Sequence, residues 1–332
     1  MRACMSLLIL SEADVERALP MADCIEVMAD ALAALARSES HNPLRFVVRP
    51  PRASGLLGLM PAHRTGDAAG YGLKAVVVEP SNPARGLDAH QGGVLLFDDL
   101  TGRPTALVNA SAITAIRTAA VSAVATRLLA RDPVDTLAIL GAGVQARSHL
   151  EAMLAVRRFK RVRICARRPE GAARLAAESR ERYSLDIEAA ATAEAAVRGA
   201  DVIVTATSSK TPVLARDWIA PGTHVNAVGS SIPTSVEIDG ATMAAASLYV
   251  DRRESTLNES GDYLAAAREA LVGPDDLLAE LGELLTGQAA GRRSEDEITL
   301  FKSLGLAVED LAAAQHAVTR ARDLGLGRDV EF

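Results

Sequence analysis

The spacing of apolar and polar positions changes several times along the chain. From Met21 to Arg37 the apolar residues recur with a helical period, and Ser11-Glu-Ala-Asp14 before them is typical of a helix start. Between residues 44 and 97 the apolar positions fall in short β-type runs separated by Pro, Gly, Asn and Asp, which indicates an antiparallel or mixed sheet. Ser111 to Ala130 again has a helical period without Gly or Pro, so we expect one long helix that leads into a second domain.

Beyond residue 134, strand-like and helix-like segments alternate. Strands are predicted at residues 135–140, 161–166, 187–190, 201–207, 224–229 and 247–251, and helices from 143 and at 170–182 and 193–198. Such alternation predicts an α/β fold with a doubly wound parallel sheet of the Rossmann type. Residues 261–297 look mostly helical, and residues 305–324 form an Ala-rich helical pattern. The segment before residue 111 lacks this alternation and is therefore a different domain.

A glycine-rich turn follows the first strand of this alternating region. Its sequence is Gly141-x-Gly143-x-x-Ala146, and a helical pattern comes after it. The first glycine permits a tight turn, the second lets the backbone approach a pyrophosphate, and the small third residue permits close helix–strand packing. The helix that begins with Val144 and Gln145 would offer its free N–H groups to the phosphates. The context predicts a dinucleotide site, and a plain strand–turn–helix corner is the alternative.

The residues after the second strand of this region discriminate between cofactors. Proteins of this fold that prefer NAD carry an acidic residue about 20 residues past the glycines, whereas a 2′-phosphate needs a cation there. Here Cys165-Ala-Arg167-Arg168 has no carboxylate and offers two arginines. We therefore predict that NADP(H) is preferred and NAD(H) is the second choice. An arginine that simply lies on a solvated sheet edge is the alternative.

Small and hydroxyl residues end two further predicted strands. Because open parallel sheets bind ligands at the carboxyl ends of their strands, this edge is expected to hold the nicotinamide. The predicted cofactor residues there are Thr205, Thr207, Val225, Val228 and Gly229. Ordinary strand threonines without a ligand are an equal alternative for the first two.

Three basic residues stand inside otherwise apolar stretches: Arg45, Lys74 and Arg117. An unpaired charge is costly to bury, so the three together suggest a pocket for an anion. Arginine binds a carboxylate with two hydrogen bonds, and a lysine whose pKa is lowered by burial can also move a proton. For each residue, a structural ion pair or a strand face open to water is the alternative.

Composition limits the class of protein. The chain has 332 residues, enough for two domains, and its net charge of −6 argues against nucleic acid or an anionic membrane as the main partner. No uninterrupted apolar run of about 20 residues is present to span a bilayer. The cysteines Cys4, Cys24 and Cys165 and the six histidines lack metal-ligand spacing, so no metal site is predicted and a reducing cytoplasm fits.

Five motifs spread over nearly the whole chain belong together. They are Gly72-Leu-Lys74, Ala115-Ile-Arg-Thr-Ala-Ala120, Gly141-Ala-Gly-Val-Gln-Ala146, Val225-Asn-Ala-Val-Gly229 and Phe301-Lys-Ser-Leu-Gly-Leu-Ala-Val-Glu-Asp310. In these motifs the chain resembles the ornithine cyclodeaminase/μ-crystallin family. The resemblance implies an NAD(P)-dependent enzyme, acting on α-amino or α-imino acids, that forms a homodimer. It also implies a Rossmann domain at residues 119–304 and an α+β substrate and dimerisation domain at residues 1–118 with 305–332.

The same resemblance implies roles for individual residues. Arg45 and Lys74 would hold the substrate carboxylate, and Arg117 would lie between that carboxylate and the cofactor. Ser303 would contact the cofactor and Leu304 the substrate.

Two departures from the family pattern concern acidic residues. Where cyclodeaminases of the family carry an aspartate and a glutamate, this chain has Ser231 and Gly58. Expelling ammonia and closing a ring need such proton-transferring groups. Reducing a preformed cyclic ketimine needs only an oriented carboxylate, a protonated C=N bond and a hydride.

The predicted reaction is therefore NAD(P)H-dependent reduction of Δ1-pyrroline-2-carboxylate or Δ1-piperideine-2-carboxylate to L-proline or L-pipecolate. Lys74 would supply the proton and Ser231 would hydrogen-bond the ring nitrogen. Three alternatives stay open: an ornithine or lysine cyclodeaminase, an alanine-dehydrogenase-type reductive amination, and a non-catalytic NADPH-binding protein.

Overall fold

The computed structural model describes residues 6–332, so Cys4 lies outside the described part. The chain divides into two compact units. Unit 1 comprises the residues up to Arg117 together with Leu306–Phe332, and unit 2 is Thr118–Gly305. Each boundary lies one residue from the predicted position, and the roles expected of the two units stay predictions.

The helices and strands follow one another in this order. Before residue 118 they are β1 (Ser6–Leu10), α1 (Glu12–Ala18), α2 (Met21–Ala36), β2 (Ser40–His41), β3 (Phe46–Val48), β4 (Leu56–Arg64), β5 (Gly70–Val78), β6 (His90–Phe97), β7 (Pro104–Asn109) and the first part of α3 (Ala110–Leu129). Unit 2 continues with β8 (Thr136–Leu140), α4 (Val144–Val156), β9 (Arg161–Cys165), α5 (Pro169–Tyr183), β10 (Asp186–Ala189), α6 (Ala193–Val197), β11 (Val202–Thr205), β12 (His224–Ala227), α7 (Gly240–Ala245), β13 (Ser247–Val250), α8 (Arg253–Glu259), α9 (Gly261–Arg268), β14 (Leu277–Glu280), α10 (Leu281–Leu285) and β15 (Thr299–Lys302). Unit 1 is completed by α11 (Ala307–Leu324) and β16 (Arg328–Glu331).

Unit 1 is built on a mixed sheet with the strand order β16-β1-β7-β6-β5-β4-β2, and β3 also pairs with β4. The pairs from β4 to β7 are antiparallel, whereas β1 runs parallel to β7. Helix α11 packs on one face of this sheet, against β4, β5 and β6. Gly72 in β5 permits that approach, because a Cβ there would lie 2.8 Å from the Leu311 side chain. This inner face carries the buried side chains of the unit, Lys74 among them.

The opposite face of the sheet, here called the outer face, is apolar and open. It is formed by Ile9, Leu107, Leu95, Leu73 and Tyr71, which the strand register places side by side. Tyr71 is 50% exposed, and Ile9 and Leu107 are each 37% exposed. Unit 1 therefore buries one face of its sheet in its own core and leaves an apolar face uncovered.

Unit 2 contains a parallel sheet with the strand order β10-β9-β8-β11-β12-β15-β13-β14. The chain runs outward from β8 to β10 and then returns to β11, so the strand order reverses between β8 and β11. In sheets of this kind the crevice at that reversal is where nucleotides bind. The α/β fold class and its Rossmann-type sheet are confirmed by this topology.

Two segments of unit 2 differ from the prediction. Residues 261–297 are not mostly helical, because they include strand β14 and a long irregular segment after α10. Residues 299–302 form β15, which lies between β12 and β13 in the middle of the sheet. Both strands owe their conformation to pairing with neighbours that are distant in sequence, which a local pattern does not record.

Helix α3 is the one helix of residues 6–332 that is long and apolar enough to cross a membrane. Within its most apolar stretch, 72% of the residues are buried inside the protein. Its apolar side chains are thus used in packing.

Candidate active site

The turn between β8 and α4 has the geometry that a dinucleotide needs. Gly141 has a φ of +133°, and a Cβ there would lie 2.4 Å from the backbone oxygen of Ala206, so only glycine fits. A Cβ on Gly143 would meet no atom within 4 Å. Helix α4 begins at Val144, which is 57% exposed, and no side chain caps its first turn. The N–H groups at this helix start fit a pyrophosphate.

Two arginines lie just past the end of β9, where a 2′-phosphate is predicted to bind. Arg167 and Arg168 follow Ala166, and both are exposed. Arg168 is also the N-cap residue of α5, and it makes no side-chain capping hydrogen bond. Two exposed cations thus stand at the position predicted for the 2′-phosphate, and their role stays a prediction.

A buried carboxylate that the sequence did not point to ties together two strand ends. Glu237 Oε2 accepts hydrogen bonds from Thr205 Oγ1 at 3.0 Å and from the Gly229 N–H at 2.6 Å. Its Oε1 accepts from the N–H of Thr207 at 2.6 Å and from the Thr207 hydroxyl at 2.5 Å. Burial raises the pKa of Glu237, while the bonds from Thr207 act in the opposite direction.

Glu237 therefore fixes the loops that follow β11 and β12. These loops lie at the carboxyl ends of the strands, where the nicotinamide is predicted to bind. The hydroxyls of Thr205 and Thr207 are engaged with Glu237. Because each hydroxyl donates its one hydrogen to Glu237, its oxygen could only accept a hydrogen bond from a cofactor. The predicted roles of both threonines and of Gly229 stay predictions.

The remaining predicted residues of unit 2 occupy different environments. Val225 is fully buried in the core of the sheet, and Val228 is 7% exposed at the strand end. The Ser303 N–H donates to the Ala227 oxygen at 3.0 Å. The Leu304 N–H donates to the Asp251 carboxylate at 2.6 Å, which holds the backbone after β15. Ser231 lies half-buried in the segment that follows β12.

Unit 1 brings two of the three predicted cations together. Lys74 in β5 donates from Nζ to both carboxylate oxygens of Asp310, at 3.0 and 2.9 Å. Arg117 in α3 donates from Nε to Asp310 at 2.8 Å and from Nη1 to Glu309 at 2.9 Å. The side chains of this buried cluster, Lys74, Arg117, Glu309 and Asp310, are each 5% exposed or less.

Lys74 and Arg117 are thus not unpaired charges, and their predicted roles toward a substrate carboxylate stay predictions. Both are paired with acids from the first turn of α11, as the structural ion-pair alternative expected. The two acids are the last residues of the Phe301–Asp310 motif, so the sequence did show acids that could pair with the cations. Nothing in the sequence indicated that they lie next to β5 and α3. Arg45 lies half-buried just before β3 and is close enough to lower the pKa of Lys74.

The charge state of the cluster follows from opposing effects. Burial, together with the positive charges of Arg117 and Arg45, lowers the pKa of Lys74 to about 8 although Asp310 acts in the opposite direction. Burial alone would raise the pKa of Asp310, but Arg117 and Lys74 outweigh it, so this pKa lies below its ordinary value. At neutral pH Lys74 is thus an ammonium group that loses its proton more readily than an ordinary lysine.

The two positions at which cyclodeaminases carry acids hold none in the structure. Gly58 lies in β4 opposite Val76, and a Cβ there would make an ordinary contact of 3.8 Å with that valine. A side chain at this position is therefore not excluded by packing around its Cβ.

Comparison with known proteins agrees with these features. The model of the ornithine cyclodeaminase/mu-crystallin family matches residues 5–324. The ketimine reductase mu-crystallin of Mus musculus is 42% identical over 274 residues, which cover 82% of this chain and 83% of that protein.

Two solved structures are similar over almost their full length. The Δ1-pyrroline-2-carboxylate reductase of Thermococcus litoralis, in complex with NADH and L-proline, superposes with a TM-score of 0.95 at 35% identity and covers 98% of this chain and 100% of its own. An archaeal alanine dehydrogenase, a dimer with bound NAD, superposes with a TM-score of 0.93 at 31% identity and covers 99% of this chain and 100% of its own.

Proposed function

Since the chain belongs to the ornithine cyclodeaminase/mu-crystallin family, we propose that it is an NAD(P)H-dependent ketimine reductase. Its substrate is a cyclic imine that carries a carboxylate, Δ1-pyrroline-2-carboxylate or Δ1-piperideine-2-carboxylate, and its product is L-proline or L-pipecolate. The similarity to a mammalian ketimine reductase and to a reductase bound to NADH and L-proline supports this choice.

The observation that carries the proposal is the position of Lys74, whose ammonium group is 4% exposed and lies 2.9 Å from Asp310. This ammonium group is buried, charged at neutral pH and acidic for a lysine, with a pKa of about 8. A general acid works best when its pKa is close to the working pH. Lys74 is therefore suited to donate a proton to an imine nitrogen.

Each residue has one task in this reaction. Arg45 and Arg117 orient the substrate carboxylate, and Ser231 accepts or donates a hydrogen bond at the ring nitrogen. A reduced nicotinamide, when bound, would supply the hydride that the ring carbon of the C=N bond receives. Lys74 gives a proton to the nitrogen, so the C=N bond becomes a CH–NH unit and the lysine is left neutral until it takes a proton from water.

The preferred cofactor is NADPH, and NADH is the second choice. The exposed pair Arg167 and Arg168 at the end of β9 supports this preference, because no acid stands there to bind a free ribose hydroxyl. The related solved structures hold NADH or NAD, so the preference for the phosphorylated form is the more specific part of the proposal.

We also propose that the enzyme is a cytoplasmic homodimer that pairs through the outer face of unit 1. An apolar sheet face of this kind is typical of a protein interface, and the related alanine dehydrogenase is a dimer. Light scattering after gel filtration should give twice the chain mass. Leu107→Asp on the outer face should give a monomer, whereas Leu100→Asp, at a position 93% exposed on the β6–β7 turn, should leave the dimer intact. A wild-type monomer would contradict this part of the proposal.

The function is tested by a substrate panel. We expect oxidation of NADPH with either cyclic imine, and none with pyruvate plus ammonia. Release of ammonia from ornithine or lysine without added reductant would identify a cyclodeaminase instead. Binding of NADPH without turnover of any of these compounds would support the non-catalytic alternative.

A further inference from the structure

We infer that Asp310 is a positioning residue of the reaction: its carboxylate holds Lys74 and Arg117 in one fixed arrangement and keeps Lys74 protonated for proton transfer. This inference rests on the proposed role of Lys74 as the acid. It assigns to α11, the last helix of the chain, control over a group that lies in β5.

The geometry of Asp310 is that of a bridge. Oδ1 accepts from Lys74 Nζ at 3.0 Å and from Arg117 Nε at 2.8 Å, and Oδ2 accepts from Lys74 Nζ at 2.9 Å. The ammonium and the guanidinium are thus held against one carboxylate, although they come from a strand and a helix. Two like charges this close would repel each other without an anion between them.

The start of α11 is itself held in place. Glu309 Oε2 accepts from the Leu306 N–H at 3.0 Å, and the Val308 N–H donates to Asn42 Oδ1 at 2.9 Å. Glu309 also accepts from Arg117, so the first turn of the helix is tied to α3. Acidic residues are favoured at this end of a helix by its dipole. Asp310 is therefore presented by a rigid backbone, as positioning of another side chain requires.

Among the charged groups that act on the pKa of Lys74, Asp310 is the one that favours the protonated form. Those that act on its pKa are Asp310 from α11, Arg117 from α3 and Arg45 from the segment before β3. His90 in β6 is near enough that Lys74 and Arg117 lower its pKa, as burial does most strongly, so it is neutral in the alkaline range. Burial and both arginines favour the neutral amine, and Asp310 opposes them.

The consequence is a shift in the pH profile. If Lys74 must be protonated, kcat falls as the pH rises through its pKa in the enzyme–substrate complex. Asp310→Asn removes the negative charge and keeps the size of the side chain, so this alkaline limb should move to lower pH by about one unit or more. The variant should lose most activity at high pH and recover part of it at low pH.

The test compares kcat across pH 6–10 for the wild type, Asp310→Asn and Asp310→Glu. The glutamate restores the charge and is expected to return the limb toward its wild-type position. Asp262→Asn is the matched control, because Asp262 is equally buried and pairs with Lys302 at 2.9 Å in unit 2. This control is expected to leave the position of the limb unchanged. A loss of kcat in Asp310→Asn that is equal at every pH would mean a merely structural role and would overturn the inference.

A second measurement does not depend on turnover. The ammonium of Lys74 can be followed by lysine side-chain NMR and assigned by its absence in Lys74→Met. We expect its pKa near 8 in the wild type and lower in Asp310→Asn. If Asp310→Asn is not recovered folded, Asp310→Glu decides: an alkaline limb displaced by a unit or more, although the negative charge is kept, overturns the inference.

The two measurements separate this inference from the proposed function. A wild-type enzyme that reduces no cyclic imine contradicts the proposed function, while the NMR titration still reports whether Asp310 keeps Lys74 charged. An active enzyme whose alkaline limb is the same in Asp310→Asn contradicts the inference alone.

Discussion

Replacing Lys74 by methionine should weaken the pH dependence of the protein's free energy of unfolding. Burial lowers the pKa of Lys74 from 10.5 to about 8. Between these values the unfolded chain binds more protons than the native protein, so the free energy of unfolding rises with pH across this window. The pKa of Lys74 differs by about 2.5 units between the native and the unfolded chain, and each unit changes the free energy of unfolding by about 1.4 kcal/mol. The full change is therefore about 3 kcal/mol, of which about 2 kcal/mol falls between pH 7 and 9.5.

The assay is urea unfolding followed by circular dichroism at pH 7 and 9.5, at one fixed protein concentration. Lys74→Met is expected to change stability at pH 7 as well, since it leaves Asp310 with fewer partners, so only the change between the two pH values is diagnostic. Relative to the variant, the wild type should gain about 2 kcal/mol on going to pH 9.5. Lys160→Met, at a surface lysine 78% exposed, is the control and should show no such gain. A difference between wild type and Lys74→Met that stays constant over this range would refute the reasoning, because Lys74 would then titrate as it does in the unfolded chain.

Further changes test the nucleotide site of unit 2. Arg167→Ala combined with Arg168→Ala should weaken NADPH binding by about 1–3 kcal/mol per lost contact and leave NADH binding as it was, measured by isothermal titration; an unchanged preference would disprove the assignment of the 2′-phosphate. Gly141→Ala should lower the Tm and nucleotide affinity, because its methyl would lie 2.4 Å from a backbone oxygen at a φ of +133°. Gly143→Ala, whose methyl meets nothing, should keep the wild-type Tm and weaken nucleotide binding only, and an equal Tm loss in both variants would argue against this distinction. Glu237→Ala should leave two partly buried N–H groups without their acceptor, at a cost of at most about 1–3 kcal/mol each in unfolding free energy, together with weaker nucleotide binding.

Much of unit 2 could be predicted because its elements are defined by local patterns. The turn at Gly141 and the strands on either side of it have apolar runs and breaks that match the structure within a few residues. Strand β15 was not assigned, since its position between β12 and β13 is set by pairing with strands far away in the chain. The segment of β14 has leucines at helical spacing, and pairing with β13 makes it a strand instead.

The candidate site shows the same division. Lys74 and Arg117 were identified from their charge in apolar surroundings, which is a local property. Their partner Asp310 lies 236 residues from Lys74 in the chain. Glu237 is likewise brought to the strand ends by the fold and not by a recognisable spacing. The sequence was therefore enough to identify the candidate cations. Their acidic partners, which set their charge and orientation, could be identified only from the structure.

The late position of β15 and α11 in the chain has a consequence for biosynthesis. A ribosome releases the strand that completes the middle of the unit 2 sheet only after nearly all of that unit has emerged. The helix that covers the inner face of the unit 1 sheet is synthesised later still. Neither core can close before these late segments have emerged, so the apolar strands made earlier stay incompletely covered during most of synthesis. Transiently exposed apolar strands of this kind are prone to aggregate.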